Sequence, residues 1–189
     1  MRTSRADGSV TRVCWSLLAS AVLLVSLHPS AAQAARTVPS RALGRHAATL
    51  SVTVPSGTVN FGNVSRGATI SASLGTVNVT DTRIGIPPWT ATVTSTDFTT
   101  VATPTQTITK GNAAYWSGPV TAQSGTGNRV PGQPTANDRR SLATSVTAFN
   151  GRKISAISQS TSWAPTVVVT IPASAISGTY RATISHSVA

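Results

Sequence analysis

The stretch Tyr180–Val188, YRATISHSV, decides the fold class of this chain. Every second residue carries an apolar or ring side chain and the residues between are polar, the pattern of a β-strand with one buried face. The same period of two recurs in the runs 50–54, 70–74, 77–80, 89–94 and 167–171. Turn signals such as Asn150-Gly151 separate the runs. We predict an all-β protein, a single antiparallel β-sandwich with Greek-key or immunoglobulin-like connections and about eight to ten short strands.

The composition favours the same fold class and excludes several kinds of chemistry. Residues 35–189 contain 28 Thr and 19 Ser, which suit strands and loops better than helices. The whole chain has four acidic residues, all aspartate, and one cysteine, Cys14. A cysteine nucleophile, a disulfide framework and a cysteine-based zinc site are therefore unsupported. The Gly- and Pro-rich region 111–140 predicts a weak strand pair around 115–122 and then a long surface loop.

The N-terminus has the features of a secretory signal peptide. Three arginines precede an apolar run, and Ala32-Gln33-Ala34 supplies the small residues that a signal peptidase recognises. The alternative is a membrane anchor, but the run is shorter than the roughly 18 to 20 apolar residues that span a bilayer. We expect a signal peptide at 1–34, a basic flexible linker at 35–48 and the folded domain at 49–189, with no transmembrane segment in the mature chain.

The charge of the mature chain is strongly positive. The full chain carries a formal charge of +11, and residues 35–189 keep 12 basic and 3 acidic residues. Outside a cell, a basic surface attracts anionic wall polymers or anionic lipid headgroups, although the charge can also serve solubility alone. Nucleic acid is a poor candidate partner because no recognition motif is present and export removes the usual target.

Two separated motifs resemble those of a known family. Residues 74–83, LGTVNVTDTR, lead into 89–93, WTATV, and the chain ends with 178–189, GTYRATISHSVA. Together they resemble the WxL domain of Gram-positive surface proteins, in the divergent form of secreted actinobacterial proteins. Ala91 stands where that family has Leu, His186 where a Trp is usual, and Val188 where a Leu is usual. The resemblance implies non-covalent attachment to the cell wall, with peptidoglycan as the ligand.

Five residues are candidates for ligand contact: Trp89, Thr90, Ala91, Trp116 and Tyr180. A tryptophan ring can stack on a sugar face while its N–H donates a hydrogen bond. Trp89 is in phase with the apolar side of its strand, so core packing is the alternative for it. The Tyr180 ring can likewise pack inward with its hydroxyl bonded to a backbone group. Trp116 lies in the Gly- and Pro-rich region and is the aromatic residue that we expect to be most exposed.

Catalysis and metal binding have little support in the sequence. No Gly-x-Ser-x-Gly motif occurs. The residues for a Ser-His-Asp triad are present in His186 with Asp81 or Asp97, but a triad is defined by geometry, which the sequence does not give. We expect no catalytic residue, no metal and no cofactor. We predict a secreted, non-catalytic, wall-associated protein that binds peptidoglycan or an associated anionic polymer. A structural or adhesive subunit that binds another surface protein is the alternative, and a wall-glycan hydrolase is the third reading.

Overall fold

The computed structural model describes residues 12–17 and 48–189. The expected linker at 35–48, apart from Ala48, and the expected signal peptide, apart from strand 12–17, lie outside the described residues. The strands are β1 (Arg12–Leu17), β2 (Leu50–Thr53), β3 (Thr69–Ser73), β4 (Val77–Asp81), β5 (Pro88–Ser95), β6 (Phe98–Thr100), β7 (Thr107–Ile108), β8 (Ala113–Trp116), β9 (Val120–Ser124), β10 (Gly127–Pro131), β11 (Arg140–Ser141), β12 (Val146–Lys153), β13 (Gln159–Trp163), β14 (Thr166–Thr170) and β15 (Tyr180–Val188). Two single-turn 3-10 helices lie at Lys110–Asn112 and Ala136–Asp138.

The described strands form three antiparallel sheets. The largest has the order β10-β12-β5-β15-β6-β7, and β1 adds to the side of β15 that faces away from β5 and β6. The other two sheets have the orders β11-β8-β14-β3 and β9-β13-β4-β2. The all-β antiparallel sandwich is therefore confirmed.

The two smaller sheets form one layer, because the chain runs directly from one into the other three times. Strand β3 continues into β4, β8 into β9, and β13 into β14, in the same lateral order in both sheets. Gly75 and Gly118 lie at two of these junctions with φ of 80° and 73°, a backbone region that favours glycine. A hydrogen bond from Leu74 N–H to Pro165 O at 2.8 Å ties two junctions together. The layer is thus a sheet with a kink across its middle.

The core lies between this kinked layer and the large sheet. Phe149 of β12 stacks on Trp163 of β13 with ring centroids 4.7 Å apart, and Tyr115 of β8 meets His186 of β15 at 5.7 Å. The alternating residues of β15 are buried as the sequence pattern predicted, with Tyr180, Ala182, Ile184, His186 and Val188 all at or below 5% exposure.

Two expectations about local structure are wrong. Asn150-Gly151 is not a turn, because both residues lie inside strand β12 and pair with Thr90 and Trp89 of β5. Region 111–140 is not mainly a loop. It contains β8, β9 and β10, and β8 pairs with β14 and β11 while β9 pairs with β13. Fourteen strands lie between residues 48 and 189, more than predicted, because two- and three-residue strands give no periodic signal.

Candidate functional site

His186 does not meet an aspartate in the described part of the chain. Its Nε2 shares a hydrogen bond of 3.2 Å with the Tyr115 hydroxyl, which also accepts a 3.2 Å bond from Trp163 Nε1. All three side chains are buried where both sheets of the kinked layer face β15. Burial lowers the pKa of His186 to about 4 and raises the pKa of Tyr115 above its usual value. Both groups are therefore neutral near pH 7, and they form a polar contact inside the core.

Asp81 lies at the centre of a second buried polar cluster. Its carboxylate is fully buried and forms ion pairs with Arg83 at 3.0 Å and with Lys153 at 3.6 Å. Burial acts to raise the pKa of Asp81, but the hydrogen bonds and charge of Arg83, with the charge of Lys153, outweigh it and hold this pKa below its usual value. Asp81 also accepts a hydrogen bond of 2.9 Å from the Arg83 backbone N–H. The cluster fixes the end of β4 against β12.

Trp89 and Ala91 are core residues. Trp89 is 2% exposed, and its Nε1 donates a hydrogen bond of 3.2 Å to Gln159 Oε1. Its ring lies directly against Gly151, where an added Cβ would come within 2.2 Å of two ring atoms. Ala91 is fully buried. Neither side chain offers a surface to a polymer, so core packing describes Trp89 better than ligand contact.

Thr90 and Tyr180 also have internal partners. Thr90 Oγ1 donates a hydrogen bond to Asn150 Oδ1 at 2.9 Å on the half-buried outer side of β5. The Tyr180 hydroxyl donates to Ile176 O at 2.8 Å, and its ring lines a small cavity together with Val64, Ile108 and Ile171. This cavity holds about 60 Å³, which is room for a few water molecules and too little for a sugar ring.

Trp116 has a different environment from the other predicted site residues. It is half-buried on the outer face of the β11-β8-β14-β3 sheet, because Tyr115 beside it points into the core. Its register partner is Thr166, whose other neighbour is Ser73. Its ring lies beside Gly118 at the kink, where an added Cβ would be 3.6 Å from Trp116 Cζ3, an ordinary contact distance.

Hydroxyl side chains share the outer face of the sheet with Trp116. Because side chains alternate between the two faces of a sheet, three rows of register partners share this outer face, which we call the Trp116 face. The first row is Ser73, Thr166 and Trp116, the second is Ser71, Val168, Ala114 and Ser141, and the third is Thr69 and Thr170. The other half of the kinked layer continues the polar surface, where Asn78 Nδ2 donates to Ser162 Oγ at 2.8 Å. The strand pairing that assembles these rows joins segments nearly 100 residues apart, so sequence periodicity did not find the companions of Trp116.

One cation lies level with Trp116 at the β11 edge of the sheet. Arg140 of β11 is exposed and pairs in register with Tyr115, whose side chain points inward, so Arg140 shares the inward phase of the sheet. Arg139, which directly precedes β11, is level with Trp116 and shares its outward phase. Lys110 is close by, since Ser141 Oγ donates to Gly111 O at 3.1 Å. Between residues 48 and 189, both ion pairs involve Asp81, so these three cations have no carboxylate partner there. The edge of the face thus carries positive charge that is free to meet an anionic ligand.

No family model, curated protein or solved structure matches this chain. The resemblance to WxL domains therefore rests on the residues quoted for it alone. In the described residues, no three His, Cys, Asp or Glu side chains come together as a metal site would need. The same part of the chain contains no helix of a length and hydropathy that would cross a membrane.

Proposed function

We propose that this protein is a secreted, non-catalytic cell-wall protein and that the Trp116 face binds peptidoglycan or an associated anionic wall polymer. The observation that carries the proposal is the position of Trp116, a half-buried ring on an outer sheet face that also carries hydroxyl side chains and has Arg139 level with the ring at its edge. The ring supplies an apolar surface for the CH face of a sugar, and the hydroxyls supply donors and acceptors for its polar groups.

The shape of the surface suits an extended polymer better than a small molecule. Small ligands are held in concave sites that bury most of their surface, whereas the Trp116 face is an open sheet that continues across the kink onto the outer side of β4, β13 and β9. Repeated weak contacts along such a face add up for a polymer, because each further contact is intramolecular once the first has formed.

Charge supports an anionic polymer as the ligand. Arg139 is level with Trp116, Lys110 and Arg140 lie at the same edge of the sheet, and the mature chain has 12 basic and 3 acidic residues. Arginine side chains bind phosphate and carboxylate groups through paired N–H donors. Wall polymers that carry these groups are among the anionic partners that an exported protein meets, and the expectation of export from the sequence supports this choice of ligand.

Sedimentation with purified wall sacculi tests the proposal. We expect the processed protein to sediment with sacculi at low salt, and Trp116→Ala to weaken this binding about tenfold through the loss of stacking of roughly 1–2 kcal/mol. Val130→Ala is the matched control, because Val130 is an exposed apolar residue on β10 in the opposite layer. Failure of the wild-type protein to sediment at low salt would contradict wall binding. Equal binding of Trp116→Ala and Val130→Ala would contradict the role of the Trp116 face.

A second candidate function is adhesion to another surface protein, and exposed isoleucines favour it. Ile84 and Ile86 of one loop and Ile154 and Ile157 of another are exposed, and the two loops are neighbours because Arg152 Nε donates to Ile86 O at 3.3 Å. Exposed apolar patches commonly mark protein contacts. Recovery of a stoichiometric partner protein that is lost in Ile84→Ser with Ile154→Ser, without any affinity for bare wall, would favour this function.

A further inference from the structure

Strand β15 has one side whose only described partner is β1. Residues 184 and 185 pair with β5 on one side and with β1 on the other, and Tyr180 and Arg181 pair in the same way with β6 and β1. Strand β1 lies inside the segment that we expect export to remove, and the present inference rests on that part of the proposed function. The described core residues lie between Leu50 and Val188, in the part of the chain that we expect to remain after export.

The backbone groups on the open side of β15 can be identified. Thr96 N–H donates to Thr183 O at 3.0 Å and Thr183 N–H donates to Thr96 Oγ1 at 2.9 Å, so the backbone of Thr183 faces the β5–β6 side. Antiparallel strands alternate these directions from residue to residue. The N–H and C=O groups of Ala182 and Ile184 therefore face the side that becomes open, where unpaired groups form a template for another strand.

The pairing with β1 shows which kind of strand this side accepts. Val13, Trp15 and Leu17 stand at register positions opposite Ile184, Ala182 and Tyr180. The accepted strand is antiparallel and has apolar residues at every second position. Strand β15 itself has apolar or aromatic residues at every second position, namely Tyr180, Ala182 and Ile184. This alternation is the same in either chain direction, so a second copy of β15 that runs antiparallel meets both requirements.

We propose that the processed protein forms a homodimer in which the β15 strands of two copies pair antiparallel about a two-fold axis at Thr183. A two-fold axis makes two identical strands antiparallel, which is the arrangement of most soluble dimers. In this register Ala182 lies opposite Ile184 of the second copy, and Arg181 lies opposite Ser185. No two cations lie opposite each other, so the only charged side chain of β15 does not oppose the pairing.

Sedimentation velocity of the processed chain from culture medium tests the association, with its N-terminus identified by intact mass. We expect a dimer that strengthens as NaCl rises from about 0.05 to about 0.5 M, because salt screens the repulsion between two basic copies. Wall binding through cations should weaken over the same range of NaCl. The opposite salt dependence means that failure of the dimer proposal can be told apart from failure of the wall-binding proposal. A monomer at all salt concentrations overturns the dimer, and a mass that retains residues 1–34 overturns the opening of the β15 side.

Single substitutions at Thr183 test the geometry, since the mature chain has no cysteine of its own. Thr183→Cys should oxidise to a disulfide-linked dimer, because residues that meet on the axis in a non-hydrogen-bonded pair bring their Cβ atoms within about 5 Å. Thr183→Lys should weaken the dimer about fivefold by placing two ammonium groups face to face. Thr147, an exposed threonine of β12 in the same sheet, supplies both matched controls. Equal behaviour at positions 183 and 147 would overturn the pairing through β15, even if a dimer were present.

Discussion

At the scale of single residues, the core of this protein contains polar groups that the alternation pattern located but did not explain. His186 occupies an inward position of β15, as predicted, and its partner is the Tyr115 hydroxyl. Lys153 is fully buried beside Asp81. A buried lysine needs a partner, and this one lies 72 residues away along the chain, so no local pattern could have indicated it.

The buried state of His186 predicts a pH dependence of stability. Its pKa in the folded protein is about 4, below the usual value of 6.5, so the unfolded chain binds the proton first as the pH falls. The free energy of unfolding should decrease from pH 6.5 to pH 4 by up to about 3 kcal/mol, at roughly 1.4 kcal/mol per pH unit. Urea unfolding across this range measures the slope, and His186→Leu should flatten it. A variant that keeps the full slope would show that another group controls the acid response.

The cluster around Asp81 predicts unequal effects of removing its two charges. Asp81→Asn leaves Lys153 buried without a counter-charge, and we expect a loss of about 3–5 kcal/mol in the free energy of unfolding. Lys153→Met should cost less, because Asp81 keeps its ion pair with the half-exposed Arg83. Urea denaturation of both variants at pH 7 makes the comparison. A larger loss for Lys153→Met than for Asp81→Asn would contradict the role given to the carboxylate.

At the scale of elements, strand β12 shows where sequence patterns fail. Asn150-Gly151 is a strong turn signal, yet Gly151 lies within the strand because the Trp89 ring occupies the space of its missing side chain. A bulge between Thr147 and Phe149 also places Ala148 and Phe149 both in the core, which interrupts the period of two. Regular strands such as β5 and β15 have no bulge, and the sequence predicted them correctly.

The contact between β12 and β5 predicts that Gly151 does not accept a side chain. In Gly151→Ala the new Cβ would lie 2.2 Å from the Trp89 ring, so the indole must move and lose its hydrogen bond to Gln159. We expect a loss of about 2–3 kcal/mol from overpacking, together with a change in tryptophan fluorescence. The matched control is Gly111→Ala, where the nearest atom is 3.7 Å away. Similar thermal unfolding of both variants would show that Trp89 is held less tightly than described.

At the scale of the whole molecule, the sandwich separates a sealed core from an open polar surface. The predicted aromatic residues divide accordingly: Trp89 and Tyr180 pack inside, and Trp116 lies on the outer face of a sheet. The sequence indicated Trp116 as the residue to test, but the threonines, serines and arginines around it come together only through the pairing of β3, β8, β11 and β14. A site assembled from four separate strands has no signature in the linear sequence.

Arg139, the cation level with Trp116, predicts a salt-sensitive part of wall binding. Arg139→Gln should weaken sedimentation with sacculi up to about fivefold at low salt, because an exposed ionic contact contributes up to about 1 kcal/mol. The difference from wild type should disappear at high salt, where charges are screened. Arg66→Gln is the matched control, since Arg66 lies far from β11 beside Ser177. Equal losses in both variants would assign the attraction to net charge and not to this edge.

Acrylamide quenching of Trp116 fluorescence during titration with soluble peptidoglycan fragments tests the central claim most directly. Trp89 and Trp163 are buried at 2% and 0% exposure, so Trp116 is the tryptophan of residues 48–189 that a quencher reaches readily. Subtraction of the signal of Trp116→Phe isolates its contribution. The account predicts that saturating fragments protect Trp116 from acrylamide, because a sugar face covers the ring. Fragments that bind while Trp116 stays equally accessible would contradict it.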